Sequence, residues 1–229
     1  MFGLQLCGYE RNNNFFWLRR KSGDFQVSDE EELLIDREKY LSHGVHIGTQ
    51  TKHSDMEEYI FHVKKNQLSV IDLNQTDERI RSAAGFLSKY NPGEILVVGR
   101  KEASRMPLEA FSEETGAEVI AGRFMPGTLT NPNSDDFMEP EVVIVTDPEE
   151  DAQAIDEAVD AKIPVIALAD SGNSLDNIDL VIPANNKAEN SIGLVYYLLA
   201  KQLQEENGQK IELNLSDFRP ETEETEEKE

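Results

Sequence analysis

The four histidines of the chain all fall within one stretch of twenty residues, and such a cluster raises the question of a metal site. They are His43, His46, His53 and His62. Imidazole is a common zinc ligand, but zinc sites have characteristic ligand spacings or an HExxH helix. The sequence has neither pattern, and no cysteine lies nearby. We therefore expect structural histidines and predict no metal and no cofactor.

A glycine-containing loop with short polar side chains surrounds these histidines. Gly44–Thr49 resembles a nucleotide-binding loop only weakly, because Thr49 and Gln50 stand where a Walker A motif requires lysine and serine or threonine. The loop also precedes the first predicted strand instead of following one. Thr49, Gln50 and Lys52 are better suited to donating hydrogen bonds to a phosphate-rich surface.

A second loop, at residues 122–132, is rich in turn-forming residues and follows a predicted strand. It is longer than an ordinary connection, which favours a functional role. Arg123 supplies a planar cation, while Thr128, Thr130 and Asn131 supply short polar groups that can reach phosphate or sugar. The loop contains no pair of nucleophile and base.

Three aspartates, Asp147, Asp170 and Asp176, follow predicted strands. Carboxylates at such positions can be catalytic or can bind magnesium. Helix capping and turn formation are the commoner uses, and no Gly-x-Ser-x-Gly motif accompanies them. We therefore expect them to be caps and turn residues.

These loops must be positioned by alternating strands and helices. The first helix has a candidate cap at Thr76, later helices are predicted at 104–115 and 188–204, and Asp147-Pro148 looks like another helix start. Short apolar runs predict strands at 68–73, 94–98, 118–121, 142–145, 163–168 and 180–182. This alternation predicts a doubly wound, three-layer α/β sandwich with a mainly parallel sheet.

The charge of the chain is strongly acidic but unevenly distributed. The 229 residues include 22 Lys and Arg and 45 Asp and Glu, which gives a net charge of −23. Residues 36–123 hold 12 basic and 14 acidic residues, whereas residues 124–229 hold 6 and 25. The acidity therefore does not exclude nucleic acid; it predicts a polarised protein with basic groups in its first half.

Composition also limits the class of protein. No run of about 18 apolar residues is present, so we predict no membrane helix. The first twenty residues lack the apolar core of a secretory signal. The single Cys7 cannot form an intramolecular disulfide, which fits a reducing compartment.

Several separated segments together resemble ribosomal protein S2 of the small subunit, in the archaeal form related to the eukaryotic protein SA. The resemblance covers about residues 33–202. The segments that carry it are 40–50, 76–80, 122–131, 139–143, 178–187 and 191–193. The bacterial branch carries a coiled-coil insertion for which residues 51–66 leave no room. One departure is Ala169-Asp170-Ser171, where family members usually have a threonine after the aspartate.

The resemblance implies a flavodoxin-like fold without catalysis. It implies a structural constituent of the small ribosomal subunit that binds ribosomal RNA where head meets body and supports assembly and translation. The implied partners are ribosomal RNA and neighbouring ribosomal proteins, with no membrane and no small-molecule substrate. The implied location is the ribosome in the cytoplasm.

Phosphate and shape contacts should dominate RNA binding, because RNA helices offer loops little else. Basic residues would then contact phosphates, and Thr, Gln and Asn would position the surface. The predicted RNA-binding residues are Thr49, Gln50, Lys52, Lys64, Lys65, Arg100, Lys101, Arg105, Arg123, Thr128, Thr130 and Asn131.

Domain boundaries follow from the same resemblance. We assign the α/β domain to 40–204, an acidic segment to 27–39, and an acidic, mostly disordered tail to 205–229. Residues 1–26 match nothing expected of the family, and Val27 precedes a typical beginning. We hypothesise that translation starts at Val27; an intact protein that retained Trp17 would refute this.

Two alternatives remain open at this level. One is a phosphate-ligand-binding enzyme or regulator on the same fold, which fold alone does not exclude. A phosphate-binding glycine loop after the first predicted strand would favour this alternative, but residues 72–76 contain no glycine. The other is a protein-only interaction module that uses the acidic half.

Overall fold

The computed structural model describes residues 33–208 and 213–218, and all of them belong to one compact unit. The unit contains five α-helices and seven strands within the described residues. The helices are α1 (Arg37–Ser42), α2 (Leu73–Leu87), α3 (Glu102–Thr115), α4 (Ala152–Ala161) and α5 (Glu189–Glu206). The strands are β1 (Ile60–Val63), β2 (Ser69–Ile71), β3 (Ile95–Gly99), β4 (Glu118–Ala121), β5 (Val142–Val145), β6 (Val165–Ala169) and β7 (Leu180–Pro183). No helix among them is long and apolar enough to span a bilayer.

Five strands form one parallel sheet in the order β4-β3-β5-β6-β7. Each neighbouring pair of strands is parallel. Leu96 of β3 lies opposite Glu118 of β4 on one side and opposite Val143 of β5 on the other. Counted within the sheet, the strand order is 2-1-3-4-5, which is that of flavodoxin-like folds. The predicted fold class is therefore confirmed.

Both faces of this sheet are covered, because successive strand residues point to opposite sides. Ile95 and Val97 pack in the cluster that contains α2, α3 and α5. Leu96 and Val98 pack in a second cluster with α4 and with Phe124 of the long loop. These two apolar clusters, one on each side of the sheet, produce the three layers.

The predicted first strand does not join the parallel sheet. β2 is only three residues long, and it pairs with β1 in a separate two-stranded antiparallel sheet. A tight turn joins the two strands, in which the Gln67 N–H donates to the Lys64 carbonyl at 2.9 Å and Gln67 has a φ of +67°. β1 was not predicted, because most of its side chains are exposed and its residues do not alternate between apolar and polar.

Two helices begin elsewhere than predicted. α2 starts at Leu73, because the Asp72 carboxylate caps it by accepting the Asn74 N–H at 3.0 Å. Thr76 therefore lies inside the helix, where its hydroxyl donates to the Pro183 carbonyl at 2.7 Å. α4 starts at Ala152, and Asp147-Pro148 belongs to the turn before it.

The C-terminal part of the described chain stays on the helical layer. α5 extends to Glu206, and a short 3₁₀ helix at Leu215–Phe218 buries Phe218 completely. Part of the predicted tail therefore packs against the domain. The predicted extension 1–26, residues 27–32 of the acidic segment, and residues 209–212 and 219–229 lie outside the described residues.

Candidate nucleic-acid interface

The loop that carries Thr49 and Lys52 is fixed against the turn that follows β6. The Thr49 N–H donates to the Ser171 hydroxyl at 2.9 Å, and the two hydroxyls lie 3.1 Å apart. Gly48 permits this approach, because a β-carbon there would lie 2.7 Å from the same hydroxyl. The Thr49 side chain thus holds the loop in place, whereas Lys52 is exposed.

Lys64 and Lys65 lie in the exposed turn between β1 and β2. The Gln50 amide reaches the Asn66 carbonyl in that turn at 3.5 Å. This contact connects the turn to the loop that carries Lys52. The structure therefore brings together two basic segments that are separated in sequence.

Arg100 follows β3 at the carboxyl edge of the parallel sheet. Its side chain is exposed, and its N–H donates to the Asp151 carboxylate at 3.0 Å. The other Asp151 oxygen accepts the Asp147 N–H at 3.1 Å. Burial nevertheless raises the pKa of Asp151 to about 7, and the nearby Asp147 carboxylate adds to this increase. The two hydrogen bonds and the Lys101 ammonium lower the pKa, but they offset burial only in part.

Two of the predicted RNA-binding cations already have acidic partners. The Lys101 ammonium is half-buried and pairs with the buried Asp147 carboxylate. The exposed Arg105 donates to Glu109 one turn along α3 at 3.1 Å, and this contact raises the pKa of Arg105. The first pair joins the turns after β3 and β5, so Lys101 is less available to a phosphate than Arg100 is.

Arg123 follows β4, the edge strand next to β3, and its side chain is exposed. It borders a groove of about 360 Å³ that is also lined by Met125, Asp135 and Asp136. No ion pair of Arg123 is found within the described part of the chain. Because β3 and β4 are parallel neighbours, Arg100 and Arg123 lie after the carboxyl ends of adjacent strands.

The short polar residues of the long loop act mainly inside the protein. Thr128 is buried and donates to the Met125 carbonyl at 2.7 Å. The Thr130 hydroxyl points to the Glu157 carboxylate at 3.4 Å, and the Asn131 side chain accepts the Asn133 N–H at 3.1 Å. These three residues shape the loop that presents Arg123.

Glu157 is the main anchor of this loop. Its carboxylate, in a residue only 5% exposed, accepts the N–H groups of Gly127 and Leu129 at 2.8 and 3.0 Å and the Gln153 amide at 2.9 Å. Burial alone would raise the pKa of Glu157. These hydrogen bonds outweigh burial and hold the pKa below its ordinary value.

The carboxyl edge of the sheet also contains an acidic groove of about 390 Å³. Glu149, Asp156 and Asp176 contribute to its lining, together with His53 and the turn after β6. The basic residues therefore do not form one unbroken surface. The Lys52 side and the Arg123 side are separate basic regions at this edge.

Asp147 and Asp170 act as turn residues, but none of the three predicted aspartates caps a helix of the described chain. Asp147 accepts the Glu149 N–H at 3.0 Å, and Asp170 accepts the Ser171 N–H at 2.6 Å. Burial raises the pKa of Asp170, an effect that Ser171 and Lys187 offset only in part. Residues 33–208 and 213–218 contain no group of three or more side chains arranged to hold a metal.

Sequence reasoning missed the roles of Asp151 and Glu157. Ile155 and Ala158 lie on the buried face of α4, whereas Val159 is 43% exposed. Glu157 is buried beside Ala158 instead. The position of Glu157 between the buried Ile155 and Ala158 could have indicated its role, because a buried carboxylate requires hydrogen-bond donors.

Comparison with known proteins agrees with this architecture. The model of the family described as ribosomal protein S2 matches residues 40–137 and 133–206. A small ribosomal subunit protein uS2 from Haloquadratum walsbyi is 48% identical over 198 residues, which cover 86% of this chain and 71% of that protein. The matched residues include every element from α2 to α5. The chain belongs to the ribosomal protein S2 family.

Proposed function

We propose that this protein is a structural component of the small ribosomal subunit that binds ribosomal RNA at the junction of head and body. The observation that carries the proposal is the family match across the entire parallel sheet and its helices. In this role the protein supports subunit assembly and translation, bound to the ribosome in the cytoplasm, and performs no catalysis. Its partners are ribosomal RNA and neighbouring ribosomal proteins.

Exposed cations at the carboxyl edge and in the β1–β2 turn are the groups available for phosphate. Lys52, Lys64, Lys65, Arg100 and Arg123 are exposed. Each such contact releases counterions, so binding should weaken steeply as salt is raised.

The remaining predicted residues would contribute differently. Thr49, Thr128, Thr130 and Asn131 position the loops. Lys101 and Arg105 would first have to leave their acidic partners.

The double variant Arg123→Ala/Lys52→Ala tests this site. It removes one cation from each basic region at positions where neither side chain stabilises the fold through an ion pair within the described chain. We expect less incorporation into small subunits on sucrose gradients, with unchanged thermal unfolding. Lys89→Ala/Lys201→Ala, which removes the same charge elsewhere, should incorporate normally.

Two results would contradict the proposal at different levels. If the double variant sediments with small subunits as the unaltered protein does, the assignment of the site is wrong. If the unaltered protein migrates in cell extracts as a free species of about 25.8 kDa, the ribosomal role itself is wrong.

A further inference from the structure

An aromatic side chain lies unusually exposed beside a small groove at the two-stranded antiparallel sheet. Phe61 of β1 is 66% exposed, which is the largest value among the exposed large hydrophobic residues of the described chain. The groove has a volume of about 270 Å³, and Phe61, Leu41 and Ile71 supply apolar surface to it. Arg37, His46, His62, Lys64 and Asp72 supply its polar lining.

We infer that this groove binds an unpaired nucleotide of the small-subunit ribosomal RNA, with its base stacked on Phe61 and its phosphate held by Arg37 and Lys64. The inference rests on the proposed function and extends it to a specific binding site. Exposed aromatic rings beside cations are the usual means by which proteins bind unstacked bases.

The charges of the groove are complementary to a phosphate. Arg37 and Lys64 form no ion pair with any residue that the structure describes. The acidic residue of the lining, Asp72, already accepts the Asn74 N–H as the cap of α2. Two cations and one carboxylate leave the lining with a net positive charge, and neither cation is held in an ion pair within the described chain.

His46 lines the same groove beside Lys64. Its buried Nδ1 has no hydrogen-bond partner in the described chain. Burial and the nearby Lys64 ammonium both lower the pKa of His46. The lowered pKa keeps the imidazole neutral near pH 7, so the positive charge of the lining comes from Arg37 and Lys64.

A protein strand added to the open edge of β1 fits this groove less well. β1 has only four residues, and its pairing register shifts between Ile60 and His62. Such an irregularity interrupts the regular ladder that an added strand needs. Phe61 also packs edge-on against the His62 ring, with 5.3 Å between the ring centroids, which leaves two adjacent rings at the surface.

The variants Phe61→Leu and Phe61→Trp separate stacking from simple burial of apolar surface. Both use the full chain and ribosomal RNA transcribed from the small-subunit gene of the same organism. We expect Phe61→Leu to weaken binding by about fivefold or more, because base stacking depends on the ring. Phe61→Trp should bind at least as well as the unaltered protein, and thermal unfolding should not change.

Val159→Ala, at an exposed apolar residue of α4 outside the proposed RNA-binding residues, is the matched control and should bind normally. Ultraviolet irradiation of assembled small subunits should attach a nucleotide to the peptide that contains Phe61. If the unaltered protein binds the RNA and Phe61→Leu binds equally well, the groove assignment is wrong while the proposed function stands.

Two further outcomes would also overturn the inference. Cross-linking of the Phe61 peptide to another ribosomal protein, with no nucleotide attached, would make the groove a protein interface. If the unaltered protein neither binds the RNA nor joins the subunit, the proposed function fails, and the inference fails with it.

Discussion

Two buried carboxylates at α4 show how hydrogen-bond donors determine the ionisation of a side chain. Asp151 is 2% exposed and accepts two backbone N–H groups, but it lies close to Asp147. Glu157 is similarly buried and accepts two backbone N–H groups and two side-chain donors. Burial raises both pKa values, and only Glu157 has enough donors to reverse the effect.

Asp151 should make the protein less stable as the pH rises towards neutrality. Its folded-state pKa of about 7 exceeds the ordinary value of 3.8, so the folded protein retains a proton that the unfolded chain has released. The resulting stabilisation is complete below about pH 4 and is lost as the pH rises through 7. We expect Asp151→Asn to remove this dependence.

The measurement is the free energy of unfolding of both proteins at several pH values. Relative to Asp151→Asn, the unaltered protein should lose stability between pH 4 and 7 with a slope of at most about 1.4 kcal/mol per pH unit. Asp160→Asn alters an exposed carboxylate on the same helix and should leave the pH profile unchanged. Parallel profiles for Asp151→Asn and the unaltered protein would contradict the assignment.

At the scale of elements, α5 owes part of its position to one glycine. Gly193 lies in the first turns of α5, and a β-carbon there would overlap the Phe218 carbonyl. Phe218 is fully buried, and its ring packs edge-on against Tyr197 with 5.8 Å between centroids. The glycine thus allows the residues after α5 to return to the helical layer.

Gly193→Ala should therefore destabilise the protein, although alanine is the better helix former. Overpacking of this kind costs about 1–3 kcal/mol, whereas the gain in helix propensity is about 1 kcal/mol. Thermal or denaturant unfolding measures the difference. We expect a lower midpoint of unfolding for the variant.

Gly85→Ala is the matched control for that substitution. Gly85 lies in α2, and a β-carbon there would meet no atom within 4 Å. The same exchange should therefore stabilise the protein by about 1 kcal/mol. If both variants shift the midpoint in the same direction, the Phe218 carbonyl does not restrict the size of the side chain that fits at position 193.

At the scale of the whole molecule, the net charge of −23 is the dominant electrostatic fact. Carboxylates such as Glu149, Asp156 and Asp176 line a common groove, and most lack basic partners in the described chain. Repulsion among like charges destabilises a compact state, and salt screens it. The polarised sequence therefore predicts a protein whose stability depends on salt.

We expect the midpoint of thermal unfolding to rise as potassium chloride is raised from millimolar to molar concentrations. Each kcal/mol gained shifts the midpoint by about 2–4 °C in a domain of this size. Glu149→Gln/Asp156→Asn should raise the midpoint at low salt and should differ less from the unaltered protein at high salt. A midpoint independent of salt would show that charge repulsion does not limit stability.

The fold class and the positions along the chain of the five parallel strands could be predicted from the sequence. Apolar runs such as 142–145 are local, and helix ends such as Gly116, with its φ of +77°, are signalled by one residue type. The resemblance to the ribosomal protein S2 family also lay in short contiguous segments. Such features depend on neighbours in sequence and can be identified without knowing what packs on them.

The polar residues that remain available for a partner could not be predicted, because their availability depends on tertiary contacts. Lys101 was predicted as an RNA contact, but its ammonium pairs with Asp147, a residue 46 positions away. Thr130 reaches Glu157, and Phe61 is exposed because β1 forms the outer strand of a small separate sheet. These outcomes depend on distant segments meeting in space, so periodicity, propensity and motif spacing carry no information about them.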